Sequence, residues 1–320
     1  MTHDVAVHPL VSPWGRFGLY SFYIDAPQPA IVDTGIATSP AEGMAPALKA
    51  LGRRIEDVRW ILLTHGHIDH VGGAYALWER TGRRARVVIH EADAPMLRSR
   101  RAHVEEYRAG RGPYLRDPEG EAKVARAADA VISGEMEPTL LVRGGETLSL
   151  GGDVTVSVHA IAGHTPGSVA YVLRRTARGL RRRRRTGARA AQRLPRLTRF
   201  RPAYRTGLEH LRDRVRPRRL YLGHPYRRAD GTPYGVELDE AQAREAIDQS
   251  LAAEDRVAAA ACRCLEAGLT ETDSPYSPFA PAAEALGYTG DPTLEPSPFF
   301  TSMHAYRTRA RTRHTGAAQT

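Results

Sequence analysis

The sequence predicts an α+β fold, and three observations support this prediction. Short apolar segments rich in β-branched and aromatic residues recur with Gly and Pro between them, as strands and turns do. The segment Val154–Ile161 alternates apolar and polar residues, which indicates a strand with one buried face. The segment Glu237–Glu266 is rich in Ala with apolar residues at helical spacing, and it predicts one long helix.

The first part of the chain predicts a hairpin followed by a helix. Phe17–Ile24 and Ala30–Val32 are typical of two antiparallel strands, and the second ends at the turn sequence Asp33-Thr-Gly. Ser39 then begins a Ser-Pro-Ala-Glu sequence, which has the pattern of a capping box and predicts a helix to about Leu51.

The segment Thr64–Gly73 reads T-H-G-H-I-D-H-V-G-G and follows Val58–Leu63, an apolar run that predicts a buried strand. Three His and one Asp within six residues cannot share one face of a regular element, so we predict a tight loop that aims them at one point. Imidazole and carboxylate together are typical ligands of zinc or a similar first-row metal. A His-rich surface loop is the alternative. His164 and His224 disfavour it, because each of them also follows a predicted strand farther along the chain. The final Gly-Gly lets the backbone pass close to the site.

A helix from Gly73 to Arg80 and a strand from Ala85 to Ile89 are predicted next. His90 ends this strand; we favour a surface position for it over a role beside the metal. Residues 91–95 open another helix, and residues 96–136 predict an irregular helical insertion. The insertion either covers the site and shapes a substrate pocket or forms a solvated cover without substrate contact.

Three further strands are predicted at Leu140–Val142, Glu146–Leu150 and Val154–Ile161. His159 falls on the polar face of the last one, so we expect it at the surface and not among metal ligands. His164 follows this strand directly, before the returning strand Val169–Leu173.

The remaining elements surround an Arg-rich block. Arg174–Arg201 contains 13 Arg and no acidic residue, so the rest of the chain carries a formal charge of about −3 although the whole carries +10. Leu208–Val215 predicts a helix, and Arg219–Leu222 predicts a strand that ends at Gly223-His224-Pro225. A short helix is predicted at Pro281–Leu286.

These motifs resemble the metallo-beta-lactamase superfamily, whose signature is H-x-H-x-D-H. The resemblance covers roughly Gly18–Pro225 and includes I-V-D-T-G at Ile31–Gly35, G-H-T-P-G-S at Gly163–Ser168 and L-G-H-P at Leu222–Pro225. It implies a four-layer αββα sandwich with a helical insertion and C-terminal helices. It leaves the substrate open, because the superfamily includes lactamases, thioesterases of the glyoxalase II type, lactonases and nucleases.

The resemblance implies two zinc-binding sets and a hydrolytic role. The implied ligands are His65, His67 and His164 for one zinc, and Asp69, His70 and His224 for the second. Zinc lowers the pKa of bound water from about 15.7 to roughly 7 and polarises a carbonyl or phosphoryl oxygen. Asp69 is the expected catalytic residue, since it can orient that water. Asp33 either supports the metal loop, Thr64–Gly73, or is an ordinary turn residue. For Tyr226 we favour a packing role over donation to an oxyanion.

One expected residue is missing. The superfamily carries a metal-bridging Asp in a Gly-Asp turn between the third and last His, whereas Val154–Leu208 contains no acidic residue and Ala188 follows Gly187. Two dications without a bridging charge repel by several kcal/mol even at an effective dielectric near 20. We therefore expect the second zinc site to be empty or weak.

The Arg-rich block has two interpretations. It is either an insert that binds RNA or DNA through phosphates, or a segment whose reading frame is disturbed, so that the original strand and Gly-Asp turn have been overwritten. We favour the second, because Lys49 and Lys123 are the only Lys of the chain, which suggests a GC-rich gene whose out-of-frame reading yields Arg, Ala, Pro and Gly.

The sequence therefore predicts a catalytic domain at 1–236 with the aberrant segment 174–201, a helical extension at 237–301 and a disordered tail at 302–320. The expected function is hydrolysis of an ester, thioester or lactone bond of a small molecule, with one or two zinc ions per chain. The alternatives are a nuclease that uses the Arg-rich block and a non-catalytic remnant.

We expect no membrane span, since no stretch of 18 apolar residues exists, and no secretory signal at the N-terminus. Cys262 and Cys264 are too close in a predicted helix to pair, so a reduced, cytoplasmic protein is expected.

Overall fold

The computed structural model describes residues 5–15, 17–111, 118–175, 189–192, 202–224, 226, 228 and 230–266. These residues contain two six-stranded sheets with helices on their outer faces. The strands of the first sheet are β1 Val7–Trp14, β2 Phe17–Ile24, β3 Ala30–Val32, β4 Trp60–Leu62, β5 Arg86–His90 and β6 Leu140–Val142. Those of the second are β7 Thr147–Ser149, β8 Val154–Ala160, β9 Val169–Arg175, β10 Arg189–Gln192, β11 Arg219–Leu222 and β12 Glu237–Asp239. The α-helices are α1 Ala45–Ala50, α2 Ile68–Val71, α3 Ala74–Arg80, α4 Ala94–Arg98, α5 Arg100–Arg111, α6 Pro118–Val131, α7 Pro202–His210 and α8 Glu240–Glu266.

Three clusters of buried apolar side chains define four layers. One cluster, with Leu62 and Val156, fills the space between the two sheets. A second, with Ile61 and Leu77, joins the first sheet to α1 and α3, and a third, with Leu220, joins the second sheet to α7 and α8. Neighbours such as Ile61 and Leu62 enter different clusters because successive side chains of a strand point to opposite faces. The predicted four-layer αββα sandwich is confirmed.

The strand directions bring several chain turns to one edge of the sandwich. In the first sheet, β3, β4, β5 and β6 are parallel, so their carboxyl ends lie at the same edge. In the second sheet, β8 and β10 are both antiparallel to β9, and β11 is parallel to β10, so the ends of β8 and β11 also coincide. The edges are joined where Val169 N–H donates to Thr64 O at 2.9 Å and Tyr171 Oη donates to Leu63 O at 2.9 Å.

One predicted helix start is confirmed without its predicted cap, and another is wrong. Ser39 forms no side-chain cap; it has helical dihedral angles, and its Oγ accepts the N–H of Ile36 at 3.0 Å, while a π-helical turn at Pro40–Met44 leads into α1. The helix predicted from Glu237 begins at Glu240, because Glu237–Asp239 pairs with β11 and forms β12. A short stretch that satisfies a sheet edge through backbone hydrogen bonds overrides a weak helix propensity.

Two other predicted segments contain more structure than the sequence indicated. The insertion is made of α5 and α6 rather than irregular helix, and four residues of the Arg-rich block form β10 between β9 and β11. Arg174 and Arg175 end β9, while residues 176–188 and 193–201 lie outside the described residues. The helix predicted at 281–286 and the tail predicted at 302–320 also lie outside them. The predicted division at residue 236 stays a prediction. Within the described part of the chain, no helix has the length and apolar content needed to cross a membrane.

Gly73 is required where the segment after the metal loop crosses the end of β3. A Cβ at this position would lie 2.3 Å from Thr34 O and 2.7 Å from Ile36 O, both of them backbone atoms that cannot turn away. We expect Gly73→Ala to lower the free energy of unfolding by about 1–3 kcal/mol, the usual scale of overpacking, in urea denaturation. Gly235→Ala is the control, since its Cβ would meet Glu237 O at an ordinary 3.4 Å. Equal stabilities of the two variants would contradict the close approach.

Candidate metal centre

Six candidate ligand side chains converge at the shared edge of the two sheets. His65 and His67 follow β4, and Asp69 and His70 lie on the single-turn helix α2. His164 follows β8 in the second sheet. His224 follows β11 in the same sheet. The predicted tight loop therefore contains one helical turn, which turns Asp69 and His70 toward His224.

The first predicted ligand set is brought together by two loops. The ligand atoms of His65, His67 and His164 all lie within 4.8 Å of one another. Their ring centroids are 4.4 to 4.8 Å apart, and the rings meet edge to face. His65 and His164 are buried, whereas the side chain of His67 is 15% exposed. Solvent therefore reaches this set from the side of His67.

The second predicted set lies directly beside the first. His70 Nε2 is 2.9 Å from His224 Nε2, and Asp69 Oδ2 is 3.1 Å from His224 Nε2. The ring of His70 also packs against that of His65, with centroids 4.0 Å apart. Asp69 and His224 are 13% and 18% exposed, so the second set also faces solvent.

Asp33 supports the metal loop, which decides between the two roles that the sequence left open. Its Oδ1 accepts the N–H of Thr64 at 2.8 Å, and its Oδ2 lies 2.7 Å from His70 Nδ1. Thr64 Oγ1 also donates to this carboxylate and contacts His65 Nδ1 at 3.0 Å. Asp33 is buried and has a left-handed φ of 57°, a conformation that Asp adopts more readily than most residues. One carboxylate thus fixes the orientation of two imidazoles.

The charge around His70 favours a cation. Burial lowers the pKa of His70, but the carboxylates of Asp69 and Asp33 outweigh this effect and raise the pKa to about 9. The same negative potential that stabilises a proton on the imidazole also stabilises a metal cation at that position.

Asp93 is a second buried carboxylate, and sequence reasoning missed its role. Its Oδ2 accepts the N–H of Gly66 at 2.9 Å, and its Oδ1 accepts the N–H of Gly167 at 2.8 Å. Thr165 Oγ1 donates to Oδ2 as well. Gly66 separates His65 from His67, and Thr165 follows His164, so Asp93 ties together the two loops that supply the first ligand set. Asp93 itself is completely buried.

The insertion contacts the first ligand set, and the choice between a substrate pocket and a cover without substrate contact stays a prediction. Glu106 of α5 reaches the first ligand set, with Oε1 3.2 Å from His67 Nε2. This contact joins residues 39 positions apart, and nothing in the local sequence around Glu106 distinguishes it from its neighbour Glu105.

Three other residues considered in the sequence lie apart from the two ligand sets. His90 caps the end of β5, where its Nδ1 accepts the N–H of Ala92 at 3.1 Å. Tyr226 is buried in the cluster between the second sheet and its helices, which agrees with a packing role. His159 is not the surface residue that was predicted; its ring is half-buried, and its Nδ1 lies 2.8 Å from Nε2 of His210 on α7.

The chemistry of the donors fits first-row cations. One set offers three imidazoles and the other offers two imidazoles with a carboxylate, which are the ligand types that zinc accepts. Within each set, the distances between the ligand atoms fit an arrangement around one ion. Ala188, which stands where a bridging Asp is expected, lies outside the described residues.

Comparison with known proteins gives one family and a consistent set of related folds. A family model described as the metallo-beta-lactamase superfamily matches residues 16–176. A hydroxyacylglutathione hydrolase of Anaeromyxobacter dehalogenans (strain 2CP-C) is 28% identical over 141 residues, which are 44% of this chain and 34% of that protein. The match thus spans only about a third of this relative.

Solved structures show the same fold at low sequence identity. A metallo-beta-lactamase family protein from Thermus thermophilus is similar with a TM-score of 0.61 and 20% identity, over 97% of this chain and 94% of that one. A beta-lactamase from Chitinophaga pinensis has a TM-score of 0.52 and 20% identity, over 75% of this chain and 86% of that one. At these identities the comparison establishes the fold alone.

Asp93→Asn tests the connection between the two loops. Both carboxylate oxygens accept a backbone N–H, so either orientation of the Asn amide places its NH₂ group against a donor. We expect the free energy of unfolding of metal-free protein to fall by about 2–3 kcal/mol in urea denaturation. Asp129→Asn is the control, because Asp129 is 75% exposed and lies 3.8 Å from its partner Arg100. A loss no larger than that of the control would refute the role of Asp93.

Proposed function

Because the chain belongs to the metallo-beta-lactamase superfamily, we propose that it is a metal-dependent hydrolase of ester, thioester or lactone bonds in small molecules. The observation that carries this proposal is the convergence of two ligand sets, His65/His67/His164 and Asp69/His70/His224, at one solvent-facing edge of the sandwich. We propose zinc as the metal, since imidazole-rich sets suit it, and a reduced, cytoplasmic setting.

The ligand residues have defined roles in this proposal. His65, His67 and His164 would hold the first ion, and Asp69, His70 and His224 would hold the second. A bound divalent cation supplies a Lewis acid that polarises a carbonyl oxygen and lowers the pKa of water.

Asp69 is the proposed catalytic residue because its carboxylate is 13% exposed and lies within the second set, 3.1 Å from His224 Nε2. It can accept a hydrogen bond from a water molecule and orient it toward a substrate carbonyl. Asp33 and Asp93 keep the imidazoles in place during this process, and they contact the ligand loops rather than the substrate.

The relative from Anaeromyxobacter dehalogenans supports the thioester part of the proposal. That protein is described as a hydroxyacylglutathione hydrolase, so its substrate class is a thioester of glutathione. The low identity and partial coverage make such a thioester one member of a test panel and not a specific assignment. Esters and lactones present the same electrophilic carbonyl to the site and belong to the same panel.

Metal content tests the two ligand sets. We expect close to one zinc per chain in protein reconstituted and dialysed against buffer, because a second dication would lie near the first without a bridging carboxylate. His164→Ala should abolish this zinc, whereas His90→Ala, which changes a strand-end His away from both sets, should retain it. Plasma emission spectrometry measures the ratio. A ratio near two in the unaltered chain would contradict the weak second site.

Restoring a carboxylate at position 188 tests activity. We expect zinc-loaded Ala188→Asp protein to bind a second zinc and to hydrolyse a thioester or lactone about tenfold faster or more than the unaltered chain, the scale on which metal ligation is tuned. The assay uses a glutathione thioester, an aryl ester, a lactone and a phosphodiester. Cleavage of the phosphodiester alone would favour a nuclease. No cleavage by either protein would favour a non-catalytic remnant.

A further inference from the structure

Glu106 is a carboxylate that the helical insertion extends to the first ligand set. Its Oε1 lies 3.2 Å from His67 Nε2, and the two side chains are only 20% and 15% exposed. Both groups are therefore largely shielded from water. A charged hydrogen bond is stronger in such a shielded position than at an open surface.

The helix that carries Glu106 is attached to the loop that contains His65 and His67. His103, one turn earlier on α5, is buried, and its Nε2 donates to Met96 O at 2.9 Å. Burial lowers the pKa of His103 to about 4, so the imidazole is neutral and donates through Nε2. Met96 in turn packs on Gly66, where an added Cβ would lie 2.4 Å from its Cε. Residues three apart share a helix face, so His103 and Glu106 both face the loop.

Glu106 contacts the first ligand set at His67. The atoms that lie within 4.8 Å of one another belong to His65, His67 and His164, and Glu106 is outside this group. A carboxylate that accepts the Nε2–H of His67 leaves the lone pair on Nδ1. It also restricts rotation of the ring and makes the remaining nitrogen more basic, which favours binding of a cation.

We propose that Glu106 is a positioning residue that fixes the tautomer and orientation of His67, so that cation affinity of the first set depends on the docked inserted helices. This inference rests on the proposed function, because it requires that the first set binds a cation. It assigns a role to the insertion that the ligand motif does not contain: α5 adds a third supporting carboxylate to those of Asp33 and Asp93.

The comparison of Glu106→Ala, Glu106→Asp and Glu106→Gln tests the proposal in the full chain. Zinc affinity of metal-free protein is measured by competition with a chromophoric chelator, independently of activity. We expect Glu106→Ala to bind zinc about 10-fold to 100-fold more weakly. Glu106→Asp should lose a similar amount, because the carboxylate is retracted by one methylene. Glu106→Gln should recover most of the affinity, since its amide oxygen still accepts the Nε2–H.

Glu105→Gln is the matched control. Glu105 is adjacent in sequence, 55% exposed and paired with Arg101 on its own helix at 2.9 Å, so its variant should bind zinc within twofold of the unaltered chain. If Glu106→Ala does not fold, Glu106→Asp replaces it in the comparison.

The outcomes separate this proposal from the proposed function. Affinities of the Ala and Asp variants within twofold of the unaltered chain would overturn the role of Glu106. Equal losses in the Ala and Gln variants would also overturn it, since they would indicate that charge or direct ligation matters rather than positioning. Absence of zinc binding by the unaltered chain would instead refute the proposed function.

Discussion

Two buried carboxylates, Asp33 and Asp93, hold the ligand loops, and the geometry of the centre depends on them. A carboxylate accepts several hydrogen bonds at once, so each can join backbone donors from loops that otherwise have no common partner. Asp33 connects the end of β3 to Thr64 and His70. Asp93 connects the turn between His65 and His67 to the turn after His164. The loops are thereby placed before any ion binds, which reduces the cost of organising the site.

The sequence indicated which side chains converge but not what supports them, and the reason is the distance along the chain. His65, His67, Asp69 and His70 occur within six residues, so their spacing alone indicates a site. The partners of Asp93 lie 27 and 74 residues away, and in the sequence it is only a polar residue shortly before Pro95. Asp33 follows a strand, where an ordinary turn Asp is equally common, and only its burial and its contact with His70 distinguish it.

The fold shows the same division between local and distant information. The alternation of Val154–Ala160 and the apolar run at Trp60–Leu62 were sufficient to predict strands, because periodicity is a property of adjacent residues. The start of α8 was predicted three residues too early, since pairing with β11 decides that Glu237–Asp239 is a strand. Strand β10 has no local signal at all, and its place between β9 and β11 comes from the sheet around it.

The two ligand sets differ in the contacts among their own atoms, and this bears on their affinities. In the second set, His70 Nε2 and His224 Nε2 are already within hydrogen-bond distance of each other, at 2.9 Å, so a cation held by both nitrogens would replace that contact. In the first set the three rings meet edge to face, and the carboxylate of Glu106 reaches His67 without entering the group of ligand atoms. The carboxylates of Asp69, a member of the second set, and Asp33, which contacts His70, place negative charge at the second set, and this charge favours a cation there.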